Sequence, residues 1–399
     1  MAATNQLKVV HWNVRGVRGK VVHLIHVLKE YEVDIALLSE TLLSPQDRFR
    51  VPGYHVYRQD FLGGDRVCRG LAVLVGRRIL HQLLPDPSVS SIYALGVEVL
   101  LGRTRTHIYA SYKPPGRRLD ISDITGLLSE EPTVIAGDLN CKHPGWGSRT
   151  ANADGNRLFA DAERAGYSVV GTYTPTHFPE NPAHSPDVLD VAIAHNLSGD
   201  IHQEVLEEAH GSDHLPVLAI IRAAPASIPP LPPPPFRDWE KFTSQLHETT
   251  PNFPVDSVEA VDSMALQITE AISAALDAAT QPPRRRFKRP SLPRHIAELL
   301  AEKRKARRHW QSTRCPTAKN RLNRLNEQVS QALHDLKAAD WTQRIQEAGE
   351  DWPSLHRFCR TLTKATPPVR PLLHPDGNPR YRAEDRAEIH AEHLERQFS

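Results

Sequence analysis

Cysteine is scarce in this chain. Its four cysteines, Cys68, Cys141, Cys315 and Cys359, are scattered through 399 residues and form no Cys-x-x-Cys pair. That argues against a disulfide framework or a thiolate zinc site, and it fits a reducing, intracellular setting. No apolar run approaches the roughly 18 residues that a membrane span needs. The segment Met1 to Lys8 lacks the apolar centre of a secretory signal. An excess of one charge is also missing. The 49 basic and 47 acidic side chains leave a net charge of +2, so no global field draws the chain onto nucleic acid. The expectation is a soluble protein of the cytosol or nucleus. What is present is ordinary enough to build a core: 40% apolar and 24% charged residues, in a length that suits two domains.

The first 222 residues alternate short apolar runs with glycine and polar breaks. Val9 to Trp12 reads as a strand, and so do Asp34 to Leu38, Leu71 to Val75, His107 to Tyr112, Val134 to Ala136, Leu189 to Ile193 and Val217 to Ile221. Leu24, Ile25, Val27 and Leu28 fall at helical spacing. This is an α/β mixture rich in strands. The segment Ala223 to Pro235 is proline-rich and reads as an extended polyproline II spacer. Beyond it the pattern is helical. Val261, Met264, Ile268, Ile272 and Leu276 recur at three- and four-residue steps, as do Leu322, Leu325, Val329, Leu333 and Leu336. The expected division is a domain over 1–223, a linker over 224–238 and an all-α basic region over 239–399.

Polar residues gather where the strands end. Asn13, Glu40, Tyr112, Asp138 and Asn140 follow or close apolar runs, Asp190 opens one, and Ser212, Asp213 and His214 precede another. Strand ends are rigid platforms on which such groups can converge. Taken singly, each is more simply a turn or cap residue. Together they supply the types that phosphodiester cleavage by water requires. Glu40 offers hard oxygen to Mg²⁺. Asp138 can relieve the attacking water of a proton, with Asn140 orienting that water or the phosphate. His214 can donate a charge-assisted hydrogen bond to a phosphate oxygen while Asp190 holds its imidazole. Ser212 lacks the G-x-S-x-G surroundings of a nucleophilic serine.

The segments GDLNCKHPGWGS (Gly137 to Ser148) and GSDHLPV (Gly211 to Val217) resemble the endonuclease/exonuclease/phosphatase superfamily. HWNVRG, LLSET and YKPPG fall in the right order with them. The longer spelling around Asn140, with PTHF at Pro175 to Phe178, is similar to the endonuclease domain of jockey-type non-LTR retrotransposon polyproteins. The likeness covers residues 7 to 222. It implies two packed, mostly antiparallel sheets flanked by helices, with the site at the loop end of the sandwich. It implies a nuclease that nicks double-stranded DNA with Mg²⁺, for which Mn²⁺ can substitute. In that reading Asn13 and Glu40 lie on the metal side and Asp213 is a second metal-proximal carboxylate. Tyr112 touches the scissile phosphate, Asp138 and Asn140 form the GDxN pair, and Asp190 orients His214. Asp187 is a rival for that last role, disfavoured because it follows Pro186 and reads as a turn. Arg69-Gly70 departs from the two glycines that relatives often show there.

The nucleic-acid contacts expected are Arg15, Arg149, Thr176 and Trp146 in the first domain, with surface packing the alternative for Trp146. From the basic run between Arg284 and Arg324 they are Arg284, Arg285, Arg286, Lys303 and Arg304, a solvated helix face being the plainer reading. Element RNA is a further expected partner, and the nucleus the expected location. No YxDD-like polymerase signature occurs in the chain, so the likeness implies a nuclease and connecting region without the polymerase: a fragment, a truncated copy or a domesticated gene. Two other readings compete. One is a phosphatase or sphingomyelinase of the same superfamily; the other is a catalytically silent nucleic-acid-binding protein derived from a retroelement.

Overall fold

Alternation of apolar side chains sets the layering. In β1 (Leu7–Asn13), Leu7 and Val9 face one way while Val10 and Trp12 face the other, and all four are buried. The computed structural model describes residues 6–63, 66–207, 211–227, 236–249, 257–281, 292–349, 352–363, 371–376, 379–381 and 383–398. After β1 come α1 (Val21–Glu30), β2 (Ile35–Ser39), β3 (Tyr54–Gly63), β4 (Arg66–Gly76), β5 (His81–Leu83), β6 (Tyr93–Leu101) and β7 (Thr104–Tyr112). They are followed by α2 (Ile121–Leu127), β8 (Thr133–Asp138), α3 (Ala153–Ala165), β9 (Ser168–Val170), β10 (Asp190–His195), β11 (Ile201–Val205) and β12 (Val217–Ile221).

These strands form two six-stranded sheets, ordered β11-β12-β1-β2-β4-β3 and β5-β6-β7-β8-β10-β9. Each contains one parallel pair, β1 with β2 and β7 with β8; the other pairings are antiparallel. The core between the sheets is built from Val9, Leu37 and Val73 on one side and Val97, Ile108 and Val134 on the other. Leu24, Val27 and Leu28 of α1 cover the outer face of the first sheet. Ile124 of α2 and Leu158 of α3 cover the outer face of the second. Two sheets flanked by helices is therefore the architecture, as the likeness implied. The parallel pairs have a consequence for function, because they bring the C-terminal ends of β1, β2, β7 and β8 to the same edge of the sandwich.

Two compact units are distinguished, Met1–Ile228 with Pro293–Ser399, and Pro229–Leu292. Residues 228–235, most of the expected polyproline spacer, lie outside the described residues. The residues just before them are tied to the second sheet: the Gly102 N–H donates to Ala224 O, and the Ala226 N–H to Leu100 O. In the smaller unit, β13 (Phe236–Arg237) pairs with β14 (Thr280–Gln281), and α4 (Trp239–Thr249) packs on α5 (Val258–Ala279). The apolar stripe expected on α5 is only partly covered. Val261, Ile268 and Ile272 are exposed, and the buried positions are Ala271, Ala275 and Ala279. In the larger unit, α6 (Arg294–Thr313) and α7 (Pro316–Glu347) form a hairpin in which Leu322, Leu325, Val329 and Leu333 are buried. Then follow α8 (Trp352–Thr363), the strand pair β15 (Leu372–Leu373) and β16 (Pro379–Arg380), and α9 (Ala383–Phe398). No helix is long and apolar enough among the described residues to cross a membrane.

One buried side chain in β1 carries a pH signature. His11 is fully buried, with Gln203 Nε2 3.4 Å from its Nε2. Burial lowers its pKa to about 4, against the pull of Asp190. The unfolded chain takes up this proton near pH 6.5 and the folded chain only near 4. His11 therefore costs nothing above pH 6.5 and destabilises progressively as pH falls towards 4, by about 3 kcal/mol in total. The stability difference between wild type and His11→Gln is expected to shift by about that amount in favour of the variant between pH 7 and pH 4, read from urea unfolding at each pH.

Candidate active site

Strand register brings the acidic residues together. In the second sheet Tyr112 of β7 stands opposite Asp138 of β8, and Asp138 opposite Asp190 of β10. Gly137 permits the first of these pairings. A Cβ on it would lie 1.9 Å from Ser111 O, so no larger residue fits between the parallel strands. In the first sheet, Asn13 at the end of β1 reaches across the sandwich, and its Nδ2 donates to Asp138 Oδ2 at 3.0 Å. Asp138 Oδ1 accepts the Asn140 N–H at 3.1 Å. His214 closes the group: Nδ1 is 2.7 Å from Asp190 Oδ2, and Nε2 is 3.7 Å from Asp138 Oδ2.

The scaffold of that histidine is equally specified. Trp12 Nε1 donates to His214 O at 3.1 Å, and the His214 N–H to Ser212 Oγ at 3.1 Å. Ser212 Oγ donates to Asn13 O at 2.8 Å. Ser212 is thus a strut between β1 and the histidine loop. Asp187 does not compete for the imidazole: its Oδ1 accepts the N–H groups of Arg149 and Val188, and its Oδ2 pairs with Lys142 at 3.1 Å. Asn140 Nδ2 donates to Lys113 O at 2.9 Å. Glu40 and Asn140 both adopt left-handed backbone, φ 50° in each, a conformation that non-glycine residues hold only when their surroundings enforce it.

Charge is concentrated at the centre. Burial pushes the Asp138 carboxyl up to about 7, with His214 pulling it down and Asp190 and Glu40 adding to the rise. Burial opposes a charged His214, but the carboxylates of Asp190 and Asp138 outweigh it and raise the imidazole to about 10. Burial and the hydrogen bond to Glu40 push the Tyr112 phenol well above its usual range. For Asp213 burial is outweighed by His177, His214 and Arg15, which hold its carboxyl well below the usual carboxylate range. The result is an imidazolium held between two buried carboxylates.

Two groups of side chains bring their donor atoms within 4.8 Å of one another: Asp138, Asp190 and His214, and His177, Asp213 and His214. Glu40 belongs to neither, although its charge acts on Asp138, Tyr112 and Arg15. The Glu40 carboxylate accepts a hydrogen bond from the Tyr112 phenol, while Asp213 groups with the two histidines instead. A carboxylate such as Glu40 offers the hard oxygen that suits a divalent cation, which would also relieve the repulsion between Glu40 and Asp138.

Several expected DNA contacts lie elsewhere. Trp146 is 1% exposed, its Nε1 bonded to Cys141 O within the core under α3. Thr176 is fully buried, and its Oγ1 accepts the N–H groups of Leu189 and Asp190. It braces the start of β10 and does not face solvent. Lys303 is fully buried in α6, and Arg304 pairs with Glu30 of α1 at 2.8 Å. The basic side of α6 here meets acids of the two-sheet body: Arg308 likewise pairs with Glu207 at 2.6 Å. Arg284, Arg285 and Arg286 lie outside the described residues. Arg149 is exposed. Arg15 is exposed too, and its guanidinium lies 2.7 Å from Glu180 and 3.3 Å from Asp213. The variant pair Arg69-Gly70 keeps the backbone that two glycines would supply, since both residues have positive φ (57° and 97°).

Sequence reasoning overlooked His177. Its ring centroid is 4.5 Å from that of His214, and its Nε2 is 3.6 Å from Asp213. The signal that points to it is the PTHF segment, Pro175 to Phe178, in which it follows the buried Thr176.

The chain is 28% identical to the probable RNA-directed DNA polymerase from transposon X-element of Drosophila melanogaster, over 98% of this chain and 44% of that protein. It is 26% identical to the RNA-directed DNA polymerase from mobile element jockey of the same organism, over the same shares. The chain thus spans less than half the length of these curated relatives. Among solved structures it is similar to the endonuclease domain of TRAS1, a telomere-specific non-LTR retrotransposon, with TM-score 0.46 and 19% identity, covering 54% of this chain and 98% of that one. Residues 10–214, just over half of the chain and the stretch from β1 to the paired histidine, match the Endonuclease/Exonuclease/phosphatase family, and the chain belongs to that family.

Proposed function

We propose that the protein is a Mg²⁺-dependent endonuclease that nicks double-stranded DNA, working in a retrotransposon. The observation that carries the reading is the buried array Asp190–His214–Asp138–Asn13. Asp138 is shifted to near neutrality, so it can take a proton from a water at the mouth of the site and release it again. Asn13 and the Asn140 N–H each bind one of its two oxygens, fixing the orientation of the carboxylate that meets that water. His214, kept cationic by Asp190, presents Nε2–H on the same side as Asp138, where it can neutralise a phosphate oxygen as negative charge builds. Tyr112, its phenol kept protonated, donates to Glu40 and so orients that carboxylate. Glu40, Asn13 and Asp213 would hold the cation, which supplies Lewis-acid polarisation of the phosphate and stabilises the leaving oxygen. The relatives' names, which place them in mobile elements, support DNA as the substrate class. We assign a nuclear location on the same ground.

The test is a comparison of substrate classes with the full chain. In Mg²⁺ the protein is expected to convert supercoiled plasmid to nicked circles and to release no phosphate from inositol polyphosphates. Phosphate release with intact plasmid would overturn the nuclease reading in favour of a phosphatase. DNA binding without cleavage of either substrate would favour a catalytically silent binding protein.

A further inference from the structure

The segment Thr176 to Glu180 is tied to the histidine loop from inside. The Phe178 N–H donates to Asp213 O at 2.8 Å, and the Leu215 N–H to Thr176 O at 2.7 Å, so the two stretches run as a short antiparallel pair on either side of His214. The same segment is gripped from outside by the turn between α6 and α7. Phe178 packs into a small apolar cluster whose other members, Trp310, Cys315, Ala318 and Leu322, all belong to the helical hairpin or its turn. Arg314, at the turn in left-handed backbone, donates from its guanidinium to Pro179 O and stacks 4.6 Å from the Trp310 ring. Lys319 lies over the same ring at 4.2 Å. Glu180, the next residue, pairs with Arg15, which also reaches Asp213.

A hydrophobic side chain whose apolar partners sit on another element is anchored by that element, and the backbone it belongs to moves with it. Phe178 and Pro179 are one and two residues from His177, and the Phe178 N–H is bonded to the loop that carries His214. We propose that the turn of the α6–α7 hairpin is a clamp that positions the histidine segment of the active site, with Trp310 and Arg314 as the positioning residues. The proposal rests on the nuclease reading for its catalytic consequence, but not for the clamp itself. It differs from a role of the basic helices in gripping nucleic acid, because the residues it uses face the two-sheet body. Small errors in placing a catalytic group cost rate more than binding. Loss of the clamp should therefore lower kcat and leave KM nearly unchanged.

The experiment uses the full chain and the variants Arg314→Ala, Trp310→Ala, Arg314→Lys and Trp310→Phe. Amide hydrogen exchange is followed over peptides spanning 175–180 and 211–216, and plasmid nicking gives kcat and KM. In the alanine variants, protection of both peptides is expected to fall at least about tenfold with β1 and β8 unaffected. kcat is expected to fall about tenfold with KM within about twofold of wild type, and the lysine and phenylalanine variants to recover most of both. Unchanged protection in Arg314→Ala, or lost protection with kcat intact, would overturn the proposal. Wild-type protein that leaves DNA uncut would overturn the nuclease reading and with it the catalytic role of the clamp. The exchange measurement, which needs no turnover, then still decides whether the clamp exists.

Discussion

Replacing His214 by alanine is expected to lower the nicking rate about 10³-fold and to cost about 3 kcal/mol of stability at the same time. The two losses have different causes. The rate falls because the imidazolium that faces the phosphate is gone. Stability falls because Asp190, fully buried, loses the cation 2.7 Å away that offsets its desolvation. They should therefore separate in a double variant. His214→Ala combined with Asp190→Ala removes the stranded charge and is expected to recover much of the lost stability, with no recovery of rate. Thermal unfolding and plasmid nicking on the same preparations check this. A double variant as unstable as His214→Ala alone would mean that the Asp190 carboxylate is not what the missing histidine leaves exposed.

The second large effect is expected at Asp190 itself. Asp190→Asn keeps the shape of the side chain but not its charge, and it presents an amide to Nδ1 of His214. The imidazole then loses the partner that holds it protonated and in orientation, and nicking is expected to fall about 10²–10⁴-fold. Asp187→Asn is the matched control, since Asp187 serves backbone N–H groups and Lys142 and makes no contact with the imidazole. It is expected to lose well under tenfold in rate. The comparison also has a pH signature. The folded His214 pKa lies near 10, above the ordinary 6.5, so its protonated form persists through neutral pH and is lost only as pH rises through the folded value. Without Asp190 that upper limit should move to lower pH. Equal losses in the two asparagine variants would remove Asp190 from its orienting role.

The gathering of polar residues at strand ends was legible in the sequence because strands are short and their ends are marked. A run such as Val134 to Ala136 followed by Gly137-Asp138 fixes where the backbone leaves the sheet, and the period of two then fixes which side chains point inward. The same rule explains what was hard to see. β3, β5, β9 and β11 lie at sheet edges or next to them, and their exposed or half-exposed polar residues break the apolar run that marks a central strand. Register across strands was also invisible. Nothing local to Asp190 says that it stands opposite Asp138, or that Asn13 from the other sheet will meet Asp138.

Surface roles were the least legible. Trp146 between two glycines looks open, yet it fills the core, because the glycines allow a tight turn that folds the indole inward. A Cβ on Gly147 would lie 2.5 Å from the Tyr173 backbone. Lys303 and Arg304 look like a nucleic-acid stripe, yet one is buried and the other paired with Glu30, because the acids that meet α6 are hundreds of residues away in sequence. Composition reports a charge run; only packing says which surface it faces.

The most direct test of the account is the nicking rate of wild type and Asp138→Asn in Mg²⁺ and in EDTA, with thermal unfolding measured on both proteins. The account predicts that wild type nicks in Mg²⁺ and not in EDTA. It further predicts that Asp138→Asn, still folded, is at least about 10²-fold slower, because its side chain can no longer take the proton from the attacking water. Nicking by Asp138→Asn at the wild-type rate, or wild-type nicking that persists in EDTA, would contradict it.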